Sequence, residues 1–247
     1  MMQTPGHTYR RLDEELSALR QQILEMGGLV EKQIANALTA FVQRDSPLAQ
    51  QTIEGDHAVN RLDVEIDTTC VGLLARYQPT AGDLRLITTG LKITTDLERM
   101  GDLAVSISER VAELNTEPPL LPLIDLPAMA DRVRRMVGDS LDAFVRDDTA
   151  LADQVCAADD VVDELHHQLF RTLLTFMAEN PKTISRVVRL VFVAKCLERI
   201  ADHATNIAEL VNFMVKGRSV RHLATTLDAP TAPEGCVTPP TNRSGRW

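Results

Sequence analysis

The chain has 247 residues, with a formal net charge of −9 and a pI of about 5.2. An acidic surface of this kind argues against non-specific binding of nucleic acid and against a site for free phosphate or a nucleotide, because those ligands are themselves negatively charged. It suits cations or the basic surfaces of partner proteins, and the low aromatic content of 4% favours helix over sheet.

Twelve prolines divide the sequence into segments long enough to form helices. Proline breaks helix interiors, so the gaps between prolines are candidate helices. Apolar residues recur three and four positions apart within these gaps, which is typical of amphipathic helices. We therefore predict six helices, over about residues 9–43, 47–77, 80–115, 128–146, 149–180 and 182–216.

Composition also predicts the domain limits. We expect a first bundle over residues 8–117, a proline-rich linker over 118–127 and a second bundle over 128–217. Residues 218–247 are rich in Thr and Pro, and they predict a disordered tail. We find no signal-peptide core, no apolar run of about 18 residues and no disulfide pattern among the four cysteines. We therefore expect a cytoplasmic protein without direct membrane insertion.

One stretch of the sequence occurs twice. LERMGDLAVSISE at 97–109 and LERIADHATNIAE at 197–209 share seven of thirteen residues, and DHAVNRL at 56–62 matches DDVVDEL at 159–165. The repeated Leu, Ala and Ile positions predict one core-facing stripe in each half. We therefore predict an all-α fold made of two antiparallel three-helix bundles related by pseudo-two-fold symmetry.

The repeat also keeps a Glu and an Asp four residues apart, away from the core stripe. These acids are Glu98 and Asp102 in the first half and Glu198 and Asp202 in the second. Like charges at this spacing repel each other, and cations relieve that repulsion. The residues thus leave two interpretations open: a metal site in each half, or solvated acids screened by Arg99 and Arg199.

No catalytic constellation is evident, so we predict that the chain is not an enzyme. Glu164 and His167 form the Glu-x-x-His pattern of di-iron bundles, but residues 61–64 lack both ligands in the first half. The alternatives that stay open are a carboxylate-bridged metalloenzyme and a structural helical dimerisation module.

Several longer motifs resemble the PhoU family, the accessory proteins of bacterial phosphate-specific transport. They are QPTAGDLR at 78–85, LERMGD at 97–102, LERIADHA at 197–204 and GRSVRH at 217–222. The resemblance covers about residues 8–222 and implies two three-helix bundles. It also implies a regulator that keeps the phosphate-starvation response off by binding the transporter's ATPase subunit and a sensor histidine kinase, and we expect a homodimer.

The same resemblance implies clusters of iron, zinc or another divalent metal, without an organic cofactor. Carried over position by position, the metal ligands would be Glu98, Asp102, Glu198, Asp202, Asp56, Asn60, Asp159 and Asp163. Asn60 can offer a carbonyl oxygen but carries no charge, so the ligand set of the second half is the more complete one.

Overall fold

A computed structural model describes residues 5–119 and 126–217 of the chain. Every regular element in these ranges is a helix and none is a strand, which confirms the predicted all-α fold. The helices are α1 (Pro5–Gln43), α2 (Ser46–Gly55), α3 (His57–Tyr77), α4 (Ala81–Leu114), α5 (Leu126–Arg146), α6 (Thr149–Glu179) and α7 (Ile184–Lys216), and a 3₁₀ turn, Pro181–Thr183, precedes α7.

The prediction of a single helix over 47–77 is wrong, because the chain breaks at Asp56 between α2 and α3. The backbone N–H of Asp56 donates to the carbonyl of Ile53, three residues back, so the turn is tighter than in an α-helix. The helix α5 begins at Leu126, inside the predicted linker. The rest of that linker beyond 119, and the predicted tail over 218–247, lie outside the described residues.

Helix starts in the two halves use the same chemistry. The side chain of Asp45 accepts a hydrogen bond from the backbone N–H of Leu48 at the start of α2. The side chain of Asp148 does the same for Ala150 and Leu151 at the start of α6. Such caps satisfy N–H groups that have no partner within the helix, so each half turns its chain at an equivalent aspartate.

The helices form two three-helix sets, α1, α3 and α4 in the first and α5, α6 and α7 in the second. The short α2 packs on α1 and α4. The helices α4 and α7 pack against each other along much of their length, and α1 contacts α5. The fully buried, predicted core positions of α4 and α7 are Leu97, Met100, Ala104, Ile107, Val111, Leu197, Ile200, Ala204, Ile207 and Val211. The two bundles therefore share one continuous core.

Polar contacts fix α4 against α7. Near the middle, Oδ1 of Asp96 lies 2.8 Å from Nδ1 of His203 and accepts a hydrogen bond from Asn206 at 3.3 Å. Towards the end of α4, the guanidinium of Arg189 contacts Glu113 at 2.8 Å and Glu117 at 2.9 Å. These contacts set the relative position of the two bundles.

The contact between α1 and α5 depends on a glycine. A Cβ atom on Gly27 would lie 2.8 Å from Cδ1 of the buried Leu141, whereas a Cβ on Gly28 would meet nothing within 4 Å. Gly27 thus lets the two helices approach closely. Within the described ranges, no helix combines the length and the apolar character required to cross a bilayer.

Candidate functional site

The first acidic groove, formed by Asp56, Asn60, Glu98 and Asp102, lies between α3 and α4. Two amides hold the carboxylate of Asp56. Nε2 of Gln33, from α1, donates to Oδ1 at 3.2 Å, and Nδ2 of Asn60 donates to Oδ2 at 2.7 Å. The structure thus brings the predicted Asp56 and Asn60 into direct contact and adds Gln33, which the sequence analysis missed.

The carboxylates of the first acidic groove influence one another. Burial raises the pKa of Glu98, and the charges of Asp102, Asp63 and Asp56 raise it further, while Arg99 opposes the rise. Arg99 lies 3.4 Å from Glu98 and 3.8 Å from Asp102. The acids of the two helices therefore act electrostatically on one another. Of the two arginines predicted to screen them, Arg99 and Arg199, only Arg99 forms an ion pair with these acids in the described ranges.

Gly101 allows α4 to approach the carboxylate of Asp56. A Cβ atom at Gly101 would lie 3.1 Å from Oε1 of Gln33 and 3.4 Å from Oδ1 of Asp56. Gln33 is only 6% exposed, and its Oε1 atom is buried without a hydrogen-bond partner. Neither residue was predicted; the available signals were a glycine inside a helical pattern and an amide beside the apolar stripe of α1.

The second acidic groove, formed by Asp159, Asp163, Glu198 and Asp202, lies between α6 and α7. Burial and the charges of Asp202 and Asp163 raise the pKa of Asp159 from 3.8 to about 6. Burial raises the pKa of Asp202, and Glu198 raises it further. Because each rise includes repulsion between predicted ligands, the four carboxylates form one interacting set.

A lysine that the sequence analysis did not select sits in the second acidic groove. The ammonium of Lys195 makes a direct ion pair with Glu198, one turn along α7. Lys195 also opposes the rise in the pKa of Asp202. Burial lowers the pKa of the neighbouring His166, which the charge of Glu198 raises and that of Lys195 lowers. The sequence contained a signal for this ion pair, since Lys195 and Glu198 have the i, i+3 spacing that brings side chains together on a helix.

The ligand types fit a hard or borderline cation, since both grooves offer carboxylate or amide oxygens and too little positive charge. Their side chains are not arranged around a common point, however. In residues 5–119 and 126–217, no three His, Cys, Asp or Glu side chains converge closely enough to hold a metal ion. The predicted ligands are therefore neighbours, and their role as ligands stays a prediction. The side chains of Glu164 and His167 line a shallow surface groove on α6.

A comparison with protein families matches both halves of the chain. The family model described as the PhoU domain matches residues 23–111 and again 126–211. The chain belongs to the PhoU family. Each match spans three long helices and includes one copy of the Leu-Glu-Arg repeat.

Relatives named PhoU match most of the chain. A "phosphate-specific transport system accessory protein PhoU homolog" of Pseudomonas putida is 44% identical over 219 residues, covering 88% of this chain and 85% of the relative. The accessory protein PhoU of Escherichia coli strain K12 is 38% identical over 217 residues, covering 88% and 90%. These names describe accessory proteins, and membership of this family confirms the prediction that the chain is not an enzyme.

Solved PhoU structures share the fold. The crystal structure of PhoU from Pseudomonas aeruginosa has a TM-score of 0.81 and 43% identity, covering 83% of this chain and 99% of that one. The phosphate transport system regulatory protein PhoU from Streptococcus pneumoniae has a TM-score of 0.80 and 30% identity, covering 85% and 99%. The two three-helix bundles of this chain are thus the PhoU fold.

Proposed function

We propose that the protein is an accessory regulator of a phosphate transport system, which restrains phosphate uptake and keeps the phosphate-starvation response off when phosphate is plentiful. The observation that carries this proposal is the double match of the PhoU domain, to residues 23–111 and 126–211. The names of the relatives support it, since they describe accessory and regulatory proteins of phosphate transport.

In this proposal the protein acts in the cytoplasm as an adaptor, binding the ATPase subunit of the phosphate ABC transporter and a sensor histidine kinase, and it forms a homodimer. Exposed apolar side chains on the second bundle support a role in contacts with other proteins. They are Phe170 and Leu174 on α6 and Val188 and Phe192 on α7.

Gene replacement tests the regulatory part of the proposal. In a bacterium that lacks its own PhoU, this chain should restore low expression of a starvation-induced phosphatase in phosphate-rich medium. It should also retain the transporter ATPase subunit in a pull-down from that host. High phosphatase expression despite normal amounts of folded protein would contradict the proposal.

The second part of the proposal is that both acidic grooves take up divalent cations. Two observations support it: the burial, together with mutual repulsion, that raises the pKa of Asp159, Asp202 and Glu98, and the buried, unpartnered Oε1 of Gln33 in the first acidic groove. A bound cation would supply the positive charge that these grooves lack. The chain's own contribution is to place oxygen atoms from two helices side by side.

Paired substitutions test cation uptake. Replacing Glu198 and Asp202 by Ala should reduce metal content and the rise in melting temperature that added Mn²⁺ or Zn²⁺ gives, since a ligand of the folded state stabilises it by mass action. The same holds for Glu98 and Asp102 in the other bundle.

The matched control replaces two exposed acids that belong to neither groove, Glu25 and Asp139, and should leave metal content unchanged. Elemental analysis and thermal denaturation give the readouts. Undiminished metal content in both groove variants would refute the ligand assignment, and redox turnover by the metal-loaded protein would favour the metalloenzyme alternative.

A further inference from the structure

Gln33 places a buried oxygen atom without a partner at the inner end of the first acidic groove. The residue is 6% exposed, and its Nε2 donates to Oδ1 of Asp56, but its Oε1 accepts no hydrogen bond within the described residues. Buried polar atoms normally have a partner, so this oxygen is available to a ligand. A Cβ atom at Gly101 would lie 3.1 Å from that Oε1 and 3.4 Å from Oδ1 of Asp56, so both oxygens border the same point beside α4.

The neighbouring carboxylate, Asp56, is fixed by two neutral amides. Asp56 directly precedes α3, where an aspartate commonly caps the helix, yet its side chain makes no capping hydrogen bond. Its two oxygens accept instead from Gln33 at 3.2 Å and from Asn60 at 2.7 Å. The carboxylate is therefore held towards the groove, and these contacts leave its negative charge without neutralisation.

The second half carries an apolar residue where the first half has Gln33. The pattern Ala-Phe-Val-x-x-Asp occurs at 40–45 and again at 143–148, and in both copies the final aspartate caps the next helix. This alignment of α1 with α5 places Met136 at the position of Gln33. Met136 is buried, and its thioether is a poor ligand for a hard cation. A three-helix bundle of this kind thus does not need an amide at this position for its packing.

Gly101 differs from its counterpart in the same sense. The Leu-Glu-Arg repeat places the fully buried Ala201 at the position of Gly101. A methyl group at Gly101 would crowd the oxygen of Gln33, so the glycine and the amide suit each other, as the alanine and Met136 do. The first acidic groove therefore reaches inward to an oxygen of α1, and the second has apolar side chains at both positions.

We propose that Gln33 is an inner ligand of the first acidic groove, where its Oε1 and Oδ1 of Asp56 bind a hard divalent cation beside Gly101. Carbonyl and carboxylate oxygens are the ligands that Mg²⁺, Ca²⁺ and Mn²⁺ prefer. This inference rests on the proposed uptake of cations by the grooves, and it adds a third helix to the site. A cation bound in this way links α1 to α3 and α4, and the second acidic groove lacks this ligand.

The experiment isolates the first acidic groove by replacing Glu198 and Asp202 with Ala in every protein compared. In that background Gln33→Met, which introduces the residue of the second half, should raise the apparent Kd for Mn²⁺ by about ten-fold or more in calorimetric titration. Gly101→Ala should change the Kd in the same direction, because its methyl group would occupy the place of the cation.

Gln33→Glu separates a ligand from a residue that only positions Asp56. Glutamate keeps the oxygen but loses the N–H donor, so Mn²⁺ binding should be retained or tightened if Oε1 is a ligand. Binding as weak as that of Gln33→Met would overturn the assignment of Gln33 as a ligand. The matched controls are Gln21→Met, at an exposed glutamine of α1, and Gly28→Ala, where a Cβ meets nothing within 4 Å, and both should leave the Kd unchanged.

The converse experiment transfers the inner ligand to the second acidic groove. In a background without Glu98 and Asp102, the double variant Met136→Gln with Ala201→Gly should lower the apparent Kd for Mn²⁺, because it supplies both the amide oxygen and the room beside it.

Thermal denaturation without metal checks that each variant is folded. Unchanged Mn²⁺ binding in both the Gln33→Met and the Gly101→Ala variants would overturn the role of Gln33 while leaving cation uptake intact. Absence of Mn²⁺ binding in every protein, including the unmodified chain, would overturn both proposals.

Discussion

Asp159 shows how one carboxyl group makes stability depend on pH. Its pKa rises from 3.8 to about 6 in the folded protein, chiefly because of burial and then because of Asp202 and Asp163. Between about pH 4 and pH 6 the folded state therefore binds more protons at this position than the unfolded state does. By linkage, this residue lowers the stability as the pH rises through that range.

Asp159→Asn should remove this penalty. At pH 7 we expect the variant to be more stable than the parent by about 1 kcal/mol, after allowance for solvent screening at a half-buried group, and this gain should vanish near pH 4. Urea denaturation at pH 4, 5, 6 and 7 measures it. Asp139→Asn, at an exposed site on α5, should show no such gain. A gain of equal size at every pH would contradict this account of Asp159.

At the scale of residues, the repeat is what singles out the candidate ligands. Glu98 and Asp102 recur as Glu198 and Asp202, and the structure places acids of a neighbouring helix close enough to act on Glu98 and Asp202, while the role of these residues as ligands stays a prediction. Gln33 could not be predicted, because its contact with Asp56 arises from the packing of α1 on α3, which no local spacing encodes.

The contact between α1 and α5 depends on the absence of a side chain at Gly27. Gly27→Ala would place a methyl group 2.8 Å from Leu141, so α1 and α5 must move apart or Leu141 must change rotamer. Overpacking of this kind typically costs about 1–3 kcal/mol, more than the roughly 1 kcal/mol that alanine gains in a helix. We expect a net loss of about 1 kcal/mol, measured by chemical denaturation.

The next residue provides the control. A Cβ at Gly28 meets nothing within 4 Å, so Gly28→Ala should stabilise the protein by about 0.5–1 kcal/mol. Alanine substitutions at these two neighbouring glycines of α1 are thus expected to change the stability in opposite directions. A stabilising effect at both positions would show that α5 does not need the close approach at Gly27.

At the scale of elements, the prolines and caps predicted most helix limits, but they did not predict the break at Asp56. Buried positions on either side of the break, Thr52 and Val59, are seven residues apart, so the apolar phase continues from α2 into α3. A tight turn that preserves this phase leaves no trace in the periodicity. The break became visible only in the backbone hydrogen bond from Asp56 to Ile53.

The orientation of the two bundles depends on a polar contact that one half has and the other lacks. Asp96 accepts from Asn206 and lies 2.8 Å from Nδ1 of His203, and both Asp96 and His203 are largely buried. At the equivalent positions of the repeat stand Cys196 and Leu103, both buried. The molecule thus has polar residues at one set of these repeat positions and buried apolar residues at the other.

Changing Asp96 or His203 alone should cost about 1–2 kcal/mol, because the remaining partner keeps a poorly solvated polar group. The double variant Asp96→Cys with His203→Leu reproduces the apolar pair and should lose less than the sum of the two single changes. A coupling energy of about 1 kcal/mol in denaturation under reducing conditions is expected. The exposed pair of Arg10 and Glu14 should give less than about 0.5 kcal/mol, and strict additivity at Asp96 and His203 would refute their coupling.

The shared contact of α4 and α7 also has a historical consequence. A single half of this chain would leave bare the face of α4 that α7 now covers, and a second identical half could cover it, because both helices carry the same core pattern. Two separate copies of one half would form such a contact only at a concentration that favours association, whereas in the fused chain the contact is independent of protein concentration. Because one chain carries both copies, the two sides of the contact need not be identical, and Lys195 stands where the first copy has Thr95.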